Sequence, residues 1–114
     1  MPGKISTHVL DLNAGAPAGG MKIRLLSFDR EPVVLKEVKT NSDGRTNEPL
    51  LQAQEMKTGH YQLLFSVRDY FGARQIECSF LDIVSVDFHV TDISASYHVP
   101  LLVTPWSYST YRGS

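Results

Sequence analysis

An all-β fold, a sandwich or a barrel, is what this sequence predicts, and three features carry the prediction. Short stretches rich in β-branched and aromatic residues recur along the chain, and clusters of Gly, Pro, Asn and Asp separate them. Within the stretches, side chains alternate between two faces at the two-residue period of a pleated strand.

The first candidate strand covers residues 5–12 and ends at Asn13-Ala14-Gly15-Ala16-Pro17, which reads as a chain reversal. Candidate strands at 21–28 and 33–40 follow. Asn41-Ser42-Asp43-Gly44 then turns the chain, with side chains and a glycine that tolerate positive φ. A weaker short strand is expected at 47–51 and a full one at 61–68. Between Arg68 and Leu81 the two-residue period fades, and residues 69–74 are expected to make one helical turn or a little more. Strands at 84–92, 96–104 and 107–112 complete the series. There are no repeats, low-complexity tracts or linkers, so the 114 residues read as a single domain, 1–114.

Composition narrows the function classes. Eleven Lys and Arg against twelve Asp and Glu leave a net charge of −1, with no block of like charge, so neither a nucleic-acid footprint nor a membrane-surface patch is expected. Hydrophobic residues make up 42 %, yet no apolar run reaches the roughly 18 to 20 residues that cross a bilayer. The amino terminus carries no secretory pattern, and Cys78 stands alone, which fits a reducing compartment. Cytoplasm is the expected location. Arg112-Gly113-Ser114 is not a Ser-Lys-Leu type address, leaving peroxisomal delivery by another route as the eukaryotic alternative.

Alternation also assigns faces. In the first strand Thr7 and Val9 share one face, and Ser6, His8 and Leu10 share the other. In the penultimate strand Tyr97, Val99, Leu101 and Val103 form an apolar face suited to the core, so His98 points away with Pro100 and Leu102. A second face built of His, Leu and Pro reads as a surface meant to be covered, and an oligomer with a site between subunits is the natural inference.

Four histidines, His8, His60, His89 and His98, are the candidate general acids and bases. For His60 and His89 the structural reading is preferred. His8 and His98 gain weight because both sit on the face turned from the core. The spacing lacks the short His pairs and thiolate cluster of a zinc site, so no metal and no cofactor are expected. Cys78, in Ile76-Glu77-Cys78-Ser79-Phe80, reads as a small buried hydrophobe rather than a nucleophile. Arg45, just after the Asp43-Gly44 turn, could reach a planar anion with paired hydrogen bonds. Trp106 and the stretch 56–60 have no role assigned.

With these residues in place, the chain resembles the 5-hydroxyisourate hydrolase family. The likeness is carried by Thr7-His8-Val9-Leu10-Asp11, Gly15-Ala16-Pro17-Ala18, Asn41-Ser42-Asp43-Gly44-Arg45, Tyr97-His98-Val99-Pro100-Leu101-Leu102 and Ser107-Tyr108-Ser109-Thr110-Tyr111-Arg112-Gly113-Ser114. The resemblance implies a transthyretin-like sandwich of two four-stranded antiparallel sheets with one short helix, assembled as a homotetramer with its sites in a channel between dimers. It implies that His8, Arg45 and His98 carry the chemistry there, and that Tyr111, Arg112, Gly113 and Ser114 line the channel and hold the substrate. The implied reaction is hydrolysis of 5-hydroxyisourate to 2-oxo-4-hydroxy-4-carboxy-5-ureidoimidazoline in urate breakdown.

Opening such a cyclic amide needs a base, an oxyanion stabiliser and a means of orientation. The two histidines would handle the water and its protons, in an order the sequence leaves open, and Arg45 would take the substrate's oxygens. Two rivals are a carrier in the manner of transthyretin, which is similar in fold, and an immunoglobulin-like interaction module. The His, Arg, His combination and the Tyr-Arg-Gly-Ser ending favour the enzyme.

Overall fold

A computed structural model describes residues 2–114; Met1, in the amino-terminal stretch read above, lies outside the described residues. The strands are β1 (Lys4–Asp11), β2 (Ala16–Pro17), β3 (Lys22–Phe28), β4 (Pro32–Lys39), β5 (Leu51–Gln52), β6 (Gly59–Ser66), β7 (Ile83–Val90), β8 (Ser96–Val103) and β9 (Tyr108–Thr110). A 3-10 turn, Ala53–Glu55, follows β5, and the helix α1, Val67–Ala73, follows β6. They stack as two sheets, the first in the order β2-β1-β8-β9 with β5 also pairing β1, and the second in the order β4-β3-β6-β7.

The expected sandwich is present, with one correction to the expectation of purely antiparallel sheets. β1 and β8 run parallel over their whole length, from Lys4 beside Ser96 to Asp11 beside Val103. Tight hairpins join only antiparallel neighbours, whereas parallel ones need a long crossover. Here the entire second sheet and α1 lie between the two strands in sequence, so the chain returns to β1 in the same direction.

The strand expected at 61–68 ends two residues early, because Val67 and Arg68 already belong to α1. Val67, Tyr70 and Phe71 form the buried side of that helix, and its one-sided apolar spacing overrides the strand pattern. At the other end of the helix Arg74 lays its guanidinium 3.9 Å over the Tyr70 ring and donates to the Gly19 carbonyl at 2.6 Å.

The core lies between the sheets. Ile5 and Val9 of β1, Ile23 and Leu25 of β3, Leu63 and Phe65 of β6, Leu101 and Val103 of β8, and Phe71 of α1 are all fully buried. Burying side chains of this kind contributes about 1.5–3 kcal/mol each relative to leaving them exposed. Two polar residues on the core face are satisfied there. Thr7 donates to the Val99 carbonyl at 2.7 Å, locking the β1–β8 register. Asp11 accepts the Tyr70 hydroxyl at 2.8 Å with one carboxylate oxygen and the Ala14 amide at 2.9 Å with the other, which ties the first turn to α1. Burial, and then this bond to Asp11, push the Tyr70 hydroxyl up to about 12, so it remains a donor.

Replacing Asp11 by Ala removes the acceptor of a buried hydroxyl and the cap of the turn. The expected loss is about 1–3 kcal/mol of stability. It should appear as a lower midpoint of urea unfolding at an unchanged slope, with β-sheet circular dichroism retained.

Candidate active site

The chemistry-bearing residues gather on the first sheet, on the side turned from the core. Ser6, His8 and Leu10 of β1 and His98 and Leu102 of β8 are half-buried there, while Ile5, Thr7, Val9, Tyr97, Val99 and Leu101 are buried on the opposite side. The parallel register pairs Ser6 with His98, His8 with Pro100 and Leu10 with Leu102. The two imidazoles therefore stand on adjacent strands of one face; alternation had turned each away from the core, and the pairing of β1 with β8 brings them together.

Arg45 reaches this face through its main chain. The free edge of β1 is paired piecemeal: by β5 near Ile5, by a bridge between His8 and Arg45, and by β2 near Leu10. The turn that delivers Arg45 is built by Asn41, whose side-chain oxygen accepts the amides of Asp43 and Arg45 at 2.9 and 3.2 Å. Gly44 closes it at φ +74°, and a Cβ there would collide with the Val9 carbonyl. Glycine is required at this position by both conformation and space.

Each ring is held by one nitrogen. His8 Nε2 lies 2.9 Å from the Asp43 carbonyl oxygen, and His98 Nδ1 lies 2.9 Å from Ser6 Oγ. Burial lowers the pKa of His98 below its ordinary 6.5, and the positive charges of Arg45, His8 and Lys4 lower it further. A neutral imidazole at neutral pH is the consequence, with a cationic side chain beside it. That pairing suits proton abstraction next to a developing oxyanion.

The carboxyl-terminal segment divides between the two sides of β8. Gly113 donates its amide to the His98 carbonyl at 2.7 Å, in the register that pairs Leu101 with Thr110, so the strand expected at 107–112 breaks after Thr110 and resumes its pairing at Gly113. An added Cβ on Gly113 would stand 2.6 Å from His98 Cδ2, so the glycine seats the ring closely. Arg112 instead lays its guanidinium 4.5 Å over the ring of Tyr97, whose side of β8 is opposite that of His98. Tyr111 is exposed, as is Ser114.

The remaining candidates lie elsewhere. His60 and His89 face each other across β6 and β7 on the second sheet, where His60 stacks on Phe28 and pairs with Asp87 at 3.3 Å. Cys78 is buried, its thiol pushed up mainly by that burial, and donates to the Leu81 carbonyl at 3.2 Å. Among the described residues no group of three or more His, Cys, Asp or Glu side chains is arranged to hold a metal ion. Sequence reasoning missed Ser6 and the Asp43 carbonyl as partners of the two rings. The shared face of Ser6 and His8 was its only available signal.

The chain is 48 % identical to the 5-hydroxyisourate hydrolase of Ralstonia nicotianae, covering 98 % of this chain and 99 % of that one. It is 49 % identical to the 5-hydroxyisourate hydrolase of Deinococcus radiodurans, covering 96 % and 95 %. Among solved structures, Klebsiella pneumoniae 5-hydroxyisourate hydrolase superposes with a TM-score of 0.85 at 31 % identity over 98 % of this chain and 99 % of that one. An (S)-allantoin synthase superposes with a TM-score of 0.94 at 38 % identity; it covers 99 % of this chain, which spans 44 % of that longer one. Sea bream transthyretin, solved with thyroxine, shares the fold at 22 % identity and a TM-score of 0.88, over 96 % of this chain and 94 % of that one. The pattern of the HIUase/Transthyretin family matches residues 5–113, and the chain belongs to that family.

Proposed function

We propose that this chain is a 5-hydroxyisourate hydrolase, opening the substrate's cyclic amide in urate degradation by histidine-assisted attack of water. The reading is supported above all by the convergence of His8, His98 and Arg45 on one face of the first sheet, in a chain alike over its full length to hydrolases of that name.

In this mechanism His98 takes a proton from water as the water oxygen bonds to the ring carbonyl carbon. His8 orients that water. Arg45 supplies paired donors to the substrate's oxygens and stabilises the oxyanion of the tetrahedral intermediate. As the carbon–nitrogen bond breaks, the proton held on His98 passes to the leaving ring nitrogen, so no covalent intermediate is required. Gly113, close against His98, stands at the substrate-holding edge with the terminal Ser114 next to it, whereas Arg112 packs on Tyr97 at the opposite side of β8.

The same face points to assembly. Leu10 and Leu102 are cross-strand neighbours beside the histidines, and Leu12 further along is 53 % exposed. An apolar rim around a polar centre fits a homotetramer whose sites lie between dimers. A cytoplasmic setting fits the single free thiol.

Three outcomes test this reading. Freshly generated 5-hydroxyisourate, followed by ultraviolet absorbance, should decay faster with the protein, and His8→Ala and His98→Ala should each lower the rate about 10² to 10⁴-fold while remaining folded. Full activity in both variants would remove the assignment. Because His98 must be neutral to accept the proton, kcat/KM should fall with decreasing pH along a limb centred below 6.5. Removing the Arg45 charge with Arg45→Met should move that limb to higher pH, since one cation opposing the imidazolium is gone. Finally, Leu102→Glu places a charge in the proposed seam, and sedimentation should show smaller species with activity lost in parallel; an unchanged tetramer would place the contact elsewhere.

A further inference from the structure

The hydrogen bonds of the two imidazoles define which nitrogen each can offer to a substrate. His8 Nε2 faces the carbonyl oxygen of Asp43 at 2.9 Å. A carbonyl oxygen only accepts, so a neutral His8 carries its proton on Nε2 and keeps its lone pair on Nδ1. His98 is held at the other nitrogen, Nδ1, by Ser6 Oγ at 2.9 Å. A hydroxyl can donate or accept, so the tautomer of His98 depends on which of the two Ser6 does.

Among the described residues His8 Nδ1 and His98 Nε2 have no hydrogen-bond partner, and no buried side-chain nitrogen or oxygen is left unpaired. Both nitrogens are therefore accessible at the surface. Ser6 and His98 are direct neighbours in the parallel ladder, and His8 lies two residues further along the same face of β1. The two open nitrogens thus belong to one small patch of surface.

We propose that Ser6 is a positioning residue for the hydrolysis, its hydroxyl oxygen accepting the Nδ1–H of His98, so that His98 Nε2 and His8 Nδ1 together present two lone pairs to one water. Each lone pair takes one hydrogen of that water. The water's own lone pairs are then directed outward, toward the carbonyl carbon to be attacked. The Asp43 carbonyl sets the tautomer of His8 and Ser6 sets that of His98, and the opposite choice at either ring would turn an N–H against the water. The inference rests on the assignment of His8 and His98 to the reaction.

Ring nitrogen-15 NMR of the intact protein, at a pH where both rings are neutral, reads the tautomers directly. The expected wild-type spectrum shows the proton of His98 on Nδ1 and that of His8 on Nε2. Ser6→Ala should mix the tautomers of His98 while leaving His8 unchanged, and lower kcat about 10-fold with little change in KM, as misoriented acid–base groups do. Ser6→Thr, which keeps a hydroxyl on a residue suited to a strand, should restore both the His98 signal and most of kcat. A wild-type His98 protonated on Nε2, or a Ser6→Ala protein with unchanged tautomer and kcat, would overturn the role of Ser6 while leaving the catalytic assignment intact. Undiminished activity in His98→Ala would instead remove that assignment, and the role of Ser6 with it.

Discussion

The parallel ladder between β1 and β8 is the constraint on which the rest depends. It zips eight residue pairs together, with one side of the pair in the core and the other carrying Ser6, His8 and His98. Slipping the register by one residue would turn Ile5, Val9 and their neighbours to solvent, at about 1.5–3 kcal/mol for each large side chain. The bond from Thr7 to the Val99 carbonyl adds a specific penalty to any such slip. The neighbourhood of Ser6 and His98 is therefore set by apolar burial on the far side of the same strands. Core packing, rather than any attraction between the polar groups, holds the site in shape.

The other edge of β1 supplies what the ladder cannot. Three short segments share its backbone groups, and the middle one ends in Arg45. Because Gly44 lets the turn lie against the Val9 carbonyl, Arg45 arrives with its main chain bridged to His8 and its side chain exposed. The same turn presents the Asp43 carbonyl to His8. One local motif thus delivers a cation, an acceptor and part of the strand pairing, which is why these residue types sit at adjacent positions.

Much of this was legible in the sequence, for a physical reason that also marks where legibility stops. The two-residue period reports which side of a strand a residue occupies, so the shared face of Ser6 and His8 and the outward direction of His98 were read correctly from neighbouring residues alone. Periodicity carries no information about which strand lies alongside or in which direction. The parallel pairing, and with it the contact of Ser6 with His98 across 92 positions, had no local signature. Val67 misled because a β-branched residue next to a strand also suits the buried side of a short helix. Arg112 and Gly113 are adjacent in sequence yet serve opposite sides of β8, a division that follows from the resumed pairing of Gly113 with His98 and was hidden in the motif as a whole.

The fold by itself does not distinguish a hydrolase from a carrier, since sea bream transthyretin shares it with a TM-score of 0.88. The difference must lie in what the face of the first sheet can do. Binding a ligand asks only for complementary shape and polarity, and a fully hydrogen-bonded histidine would serve. Moving a proton asks for a group that is held firmly at one atom, left open at another, and uncharged when the substrate arrives. His98 meets all three conditions: Ser6 holds Nδ1, Nε2 is open, and burial with the cationic neighbours keeps the ring from charging early. The positive charge that depresses its basicity is the same charge that would receive the oxyanion. In the proposed mechanism, negative charge growing on the substrate would offset the Arg45 field and make His98 a better proton acceptor at the moment of attack. Catalysis on this scaffold therefore requires only a few polar side chains on a sheet face whose geometry the core has already paid for.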